Sequence, residues 1–121
     1  MKKLINISGQ QFYYSSIDQV IEQCSQKEKC AIIIDKIHLN EFLDKGNKVI
    51  GKYVDQIIII SENVDIALAQ LEGVSVLLIA VMDFEEAVRI AIFGTALTKE
   101  VICIPKEDEK TVGNIIDAII T

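Results

Sequence analysis

The sequence predicts an α/β protein with a three-layer, Rossmann-like sheet of about six strands, mostly parallel, with an antiparallel N-terminal hairpin at one edge. Three observations carry this. The runs Ala31-Ile32-Ile33-Ile34, Ile57-Ile58-Ile59-Ile60, Val76-Leu77-Leu78-Ile79 and Val101-Ile102-Cys103-Ile104 are almost purely apolar, as strands covered by helices on both faces should be. Stretches of helical periodicity fill the intervals between them. Near the N-terminus, two shorter strand-like runs flank a glycine turn.

In chain order, Leu4 to Ser8 and Gln11 to Ser15 flank Gly9-Gln10 and form the hairpin. Ser16 is a good N-cap, and Gln19 three residues later completes a capping box. Ile17, Val20, Ile21 and Cys24 then give one apolar helical face, and Cys30 to Asp35 is the next strand. Leu39, Phe42, Leu43, Val49, Ile50 and Tyr53 keep helical spacing to about residue 53, with Gly46 weakening the middle. Gln56 to Ser61 is a strand. Asn63 caps a short helix bearing Val64, Ala67, Leu68 and Leu71 and stopped by Gly73. Ser75 to Val81 is a strand, and Asp83 with Glu86 opens a helix from Phe84 to about Leu97. That helix is apolar nearly all round, which fits either deep packing or a subunit contact. Glu100 to Ile104 is the last strand, ended by Pro105. Glu107, Asp108 and Glu109 form the acidic start of a final helix with Val112, Ile115, Ile116 and Ile119 inward.

The 121 residues suit one domain, residues 1–121, without linker or repeat, and half of them are apolar. A formal charge of −6 argues against nucleic acid or an anionic membrane as the main partner. No apolar run approaches the ~18–20 residues that span a bilayer. Met1-Lys2-Lys3 begins like a signal peptide, but Asn6 and Ser8 interrupt any apolar region. A cytoplasmic location is the expectation. Cys24, Cys30 and Cys103 include no Cys-x-x-Cys pair and read as small buried hydrophobes in a reducing compartment.

Ligands of open α/β sheets gather beyond the carboxyl ends of the strands. Here those ends supply Ser15, Ser16, Asp35, Lys36, His38, Ser61, Glu62 and Lys106 as candidate ligand-binding residues, with Met82-Asp83 at another strand end. No catalytic residue and no cofactor is assigned. His38 is the only histidine and has no Cys or carboxylate at ligand spacing, so no metal site is expected. Asp35 and Glu62 at neighbouring strand ends could act as an acid/base pair, but carboxylates at such junctions more often serve helix N-termini.

Gly46-Asn47-Lys48-Val49-Ile50-Gly51-Lys52-Tyr53 meets the P-loop spacing except at its last position, where Tyr53 replaces the Mg²⁺-binding Ser/Thr. A P-loop must also leave a strand and open a helix, and this segment does neither. No G-x-G-x-x-G follows the first parallel strand. A phospho-receiver pattern from Asp35, Asp83 and Lys106 conflicts with the N-terminal hairpin.

The order of elements resembles the C-terminal domain of Mur ligases, closest to that of UDP-N-acetylmuramoylalanine–D-glutamate ligases, over nearly the whole chain. Gly9-Gln10-Gln11-Phe12-Tyr13-Tyr14-Ser15-Ser16 is similar to that family's glycine turn and second strand, with Tyr14-Ser15-Ser16 at the place of its N-D-S; the A-T-N that follows there is missing. Asp35-Lys36, with Glu41-Phe42 beyond, looks like the G-G-x-D-K turn and D-F without the glycines. Ser61-Glu62 stands for G-E. Asp83-Phe84-Glu85-Glu86-Ala87-Val88, the best local match, is similar to D-L-E-E-A-V. Pro105 stands where the family has S-P-A, and Lys106 to Glu109 replace the serine and aromatic site that follows.

In that family the C-terminal domain closes over ATP held by a central P-loop domain and positions the incoming amino acid. This chain has no counterpart of the central domain, and its framework positions match better than its polar contact positions. The resemblance thus implies a non-catalytic, stand-alone derivative, peptidoglycan-related, that binds a partner protein or a small ligand. Two other readings remain open. One is a flavodoxin-like nucleotide- or cofactor-binding domain or enzyme using the strand-end cleft, and the other is a structural homo-oligomeric subunit.

Overall fold

In the computed structural model, which describes residues 2–7, 9–24, 30–46, 50, 52–62, 76–94 and 100–120, six strands form one mixed sheet. The strands are β1 (Lys2–Ile7), β2 (Gln10–Tyr14), β3 (Cys30–Asp35), β4 (Val54–Ile60), β5 (Leu77–Val81) and β6 (Glu100–Ile104). Their spatial order is β1-β2-β6-β3-β4-β5, with β1 and β2 antiparallel and every other neighbouring pair parallel. The last strand in sequence is therefore inserted between β2 and β3.

The helices described are α1 (Ile17–Cys24), α2 (Lys36–Lys45), α3 (Phe84–Gly94) and α4 (Glu109–Ile120). Alternation along each strand sends side chains to opposite faces, so two cores form. Ile32, Ile34, Ile57, Ile59, Ile102 and Ile104 pack with Ile17 and Val20 of α1 and with Leu39 and Phe42 of α2. Ala31, Ile33, Ile58, Val101 and Cys103 pack with Ala87, Val88 and Ala91 of α3 and with Val112 and Ile116 of α4. This is the three-layer α/β architecture. Ile32 lies beside Ile57 and Ile102, and Ile33 beside Ile58 and Cys103, all fully buried. Each such isoleucine contributes roughly 1.5–3 kcal/mol of burial.

Caps written into the sequence start the helices. Ser16 and Gln19 form the expected reciprocal box, Ser16 N–H donating to Gln19 Oε1 at 3.2 Å and Gln19 N–H to Ser16 Oγ at 3.3 Å. Asp35 caps α2 by accepting from Ile37 N–H at 3.3 Å. Asp83 accepts from Glu86 N–H at 2.8 Å, while the Glu86 carboxylate reaches back to Met82 N–H at 3.4 Å. Asp108 accepts from Thr111 N–H at 2.8 Å, and these Thr111 hydrogen bonds hold its carboxyl below the ordinary range. Between α1 and α2, Lys45 Nζ bridges Asp18 at 3.3 Å and Glu41 at 3.1 Å.

Several boundaries differ from expectation: β1 begins at Lys2, two residues early, and β5 begins at Leu77, later than Ser75. Gln10 pairs with Ile7, so the hairpin turn ends at Gly9, whose φ of 94° is open to glycine at no steric cost. Helix α2 stops at Lys45 instead of reaching residue 53: Gly46 N–H closes on the Phe42 carbonyl, and Ile50 bridges Val54 at the entry to β4. Ile50 and Tyr53 keep their inward positions against the same core, which explains why a helical period persists in the sequence past the helix end. Strand β4 begins at Val54, two residues early. The helix expected after Asn63 and the last turn expected near Leu97 lie outside the described residues.

Candidate functional site

Helix α2 leaves β3 over one face of the sheet, whereas α4 follows β6 over the other. Because β3 and β6 are neighbours, their outgoing chains diverge and open a crevice at the carboxyl ends, the place where open α/β sheets bind ligands. Two clefts occupy this rim.

The first, about 320 Å³, runs across the ends of β6, β3, β4 and β5 and is lined by Lys106, Asp35, Lys36, Ile37, Ile60, Ser61, Glu62 and Met82. It gathers five of the eight residues singled out from sequence. Asp35 is 6% exposed and engaged as the α2 cap. Ser61 is equally buried, its N–H bonded to the Val81 carbonyl at 2.8 Å. Lys36, Lys106 and Glu62 are exposed, and among the described residues neither lysine enters an ion pair. Ile37 and Met82, not foreseen as site residues, line the same cleft at 69% and 65% exposure. Their place at strand ends was the signal available in the sequence; their exposure was not.

The second cleft, about 400 Å³, holds the remaining three, Ser15, Ser16 and His38, together with Tyr14, Asp18, Gln19, Glu41 and Pro105. Its serines already serve local structure. Ser15 donates its N–H to the Cys103 carbonyl at 3.0 Å and its hydroxyl to the Ser16 carbonyl at 2.9 Å, while Ser16 Oγ caps α1. Tyr14 OH donates to the Glu107 carbonyl at 3.0 Å, tying β2 to the start of α4. Partial burial and the nearby Asp108, Glu109 and Glu107 charges raise the Tyr14 phenol above its ordinary range. His38 is half-buried on the α2 wall of this cleft.

Among the described residues no three His, Cys, Asp or Glu side chains converge to hold a metal ion. No helix among them is long and apolar enough to cross a membrane. Cys30 and Cys103 are buried, as their place in the strands predicts, and burial pushes the Cys103 thiol up to about 12. The Cys24 side chain lies outside the described residues. Gly46, Lys52 and Tyr53 of the near-P-loop lie between the end of α2 and the start of β4, at the amino edge of the sheet and away from both clefts.

No protein-family model matches the chain, and no curated protein matches it.

Proposed function

We propose that this domain binds a small ligand or a partner segment in the strand-end crevice, as a non-catalytic relative of Mur ligase C-terminal domains. One observation carries the reading: Asp35, Lys36, Ser61, Glu62 and Lys106, drawn from three strand ends far apart in sequence, line a single open cleft. The insertion of β6 beside β3 brings Lys106 to Asp35-Lys36, and the parallel pairing of β3 with β4 adds Ser61-Glu62. Such a mixture of buried and exposed charges suits recognition. Amide ligation would need an acyl phosphate made from ATP and Mg²⁺. Of the stretch nearest to a phosphate loop, the described Gly46, Lys52 and Tyr53 lie between the end of α2 and the start of β4, away from this crevice.

The test has two arms. Purified protein incubated with ATP, Mg²⁺, a muramoyl precursor and an amino acid should release no phosphate, and turnover would end the non-catalytic reading. A thermal-shift screen of amino acids, nucleotides and flavins tests the crevice. A ligand at ~100-fold above its Kd should add roughly 2–3 kcal/mol of stability, lost on Lys36→Ala/Lys106→Ala. A nucleotide or flavin hit would favour the cofactor-binding alternative. A hit unaffected by that double variant would place binding elsewhere.

A further inference from the structure

We infer that the first cleft takes an amphipathic organic anion: a carboxylate or phosphate head held by Lys36 and Lys106, with an apolar tail lying over Ile37 and Met82. This rests on the crevice being the ligand site and names the chemical class it accepts. The charges offered to a ligand differ from the charges present. Asp35 is committed to the Ile37 N–H and almost wholly buried, so Lys36, Lys106 and Glu62 are the groups left facing solvent. Two lysines against Asp35 and Glu62 leave the cleft near neutral in a chain of net charge −6, with both ammonium groups exposed and the Asp35 carboxylate turned to the α2 backbone. Among the described residues Lys36 and Lys106 enter no ion pair, and they stand at the ends of two neighbouring strands, where one ligand head can reach both.

The tail follows from a second, independent observation. Only a few large apolar side chains among the described residues stand in water, and two of them, Ile37 and Met82, face this one cleft. Strand order gives the ligand a direction. The lysines belong to the ends of β6 and β3, and Met82 to the end of β5, two strand spacings or about 10 Å beyond β3. A head at the lysines therefore sends a short chain past Ile37 toward Met82.

The experiment is an amide NMR titration of the whole chain at neutral pH with acetate, hexanoate, inorganic phosphate, hexyl phosphate and hexylamine. Hexanoate or hexyl phosphate should shift the amides of residues 35–37, 61–62, 82 and 106, and the tighter of the two identifies the head as carboxylate or phosphate. Affinity should rise from acetate to hexanoate by up to about fourfold per buried methylene. Lys36→Ala/Lys106→Ala should weaken binding by about tenfold. Met82→Ser, at a position 65% exposed, should flatten the chain-length dependence. Hexylamine binding as tightly as hexanoate, affinity indifferent to chain length, or an unchanged double variant would each overturn the assignment. If the hexyl probes fail while an amino acid or nucleotide shifts the same amides, the anion class falls and the crevice stands.

Discussion

At the scale of single residues, two buried polar groups make opposite demands on the core. Cys103 lies on β6 between β2 and β3, fully buried, and burial raises its thiol from the ordinary 9.0 to about 12. The sign follows from the neutral form being favoured in the fold. The contribution is complete below about pH 9 and is lost as pH rises toward about 12, because the unfolded thiol ionises first. Unfolding free energy should fall by as much as about 1.4 kcal/mol per pH unit across that window, and Cys103→Ala should flatten the slope in urea titrations. Tyr14, raised in the same direction, adds to the same alkaline limb. Gln56 is the contrary case. It is 3% exposed, flanked by Ala31 and Leu77, and its Nε2 finds no hydrogen-bond partner among the described residues. An unsatisfied buried amide costs roughly 1–3 kcal/mol, so Gln56→Met, similar in volume, should raise the urea midpoint by a corresponding amount. A lower midpoint would mean that the amide is satisfied in solution.

At the scale of elements, what the sequence made legible was local. Isoleucine runs marked β3 and β4 because both faces of those strands are buried, and Ser16 and Asp83 marked helix starts because each cap is a contact within three residues; Asp108, expected inside the acidic first turn, is the residue that caps the last helix. The insertion of β6 between β2 and β3 was not legible, since no pattern within either strand encodes its neighbour. Division of the site residues between two clefts followed from that insertion and was equally hidden. The end of α2 was misread for a related reason: Ile50 and Tyr53 satisfy the helical period while packing from a non-helical connection. Gly46 enforces that end. A Cβ there would lie 2.7 Å from the Phe42 carbonyl oxygen and 3.3 Å from the Phe42 ring, itself fully buried between α2 and the sheet. Although Ala is the better helix former by about 1 kcal/mol, Gly46→Ala should destabilise by about 1–3 kcal/mol through this clash, read from denaturant midpoints. Stabilisation would show that the helix can extend past Lys45.

At the scale of the whole molecule, the sheet ends differently on its two sides. Strand β1 carries Lys2 and Lys3 and has a register shift between Lys3 and Ile5, both devices that discourage a further strand from joining. At the opposite edge, β5 reads Leu-Leu-Ile-Ala-Val, without charge or proline, and Leu77 is 58% exposed. Among the described residues β5 has no neighbour on its outer side, an uncharged apolar edge is the feature by which sheets recruit one another, and antiparallel pairing of β5 with its own copy about Ile79 would set Leu77 opposite Val81. This edge is where the structural-subunit reading of the sequence can be tested. Concentration-dependent association through this edge is the expected outcome in sedimentation velocity, and Leu77→Lys should suppress it by setting a charge at each end of the paired segment. Because Leu77 is mostly in water already, its replacement should leave the unfolding free energy within about 0.5 kcal/mol of the parent. Association that survives Leu77→Lys but disappears with Phe93→Ser, at a side chain 77% exposed near the end of α3, would move the contact from the strand edge to the apolar helix.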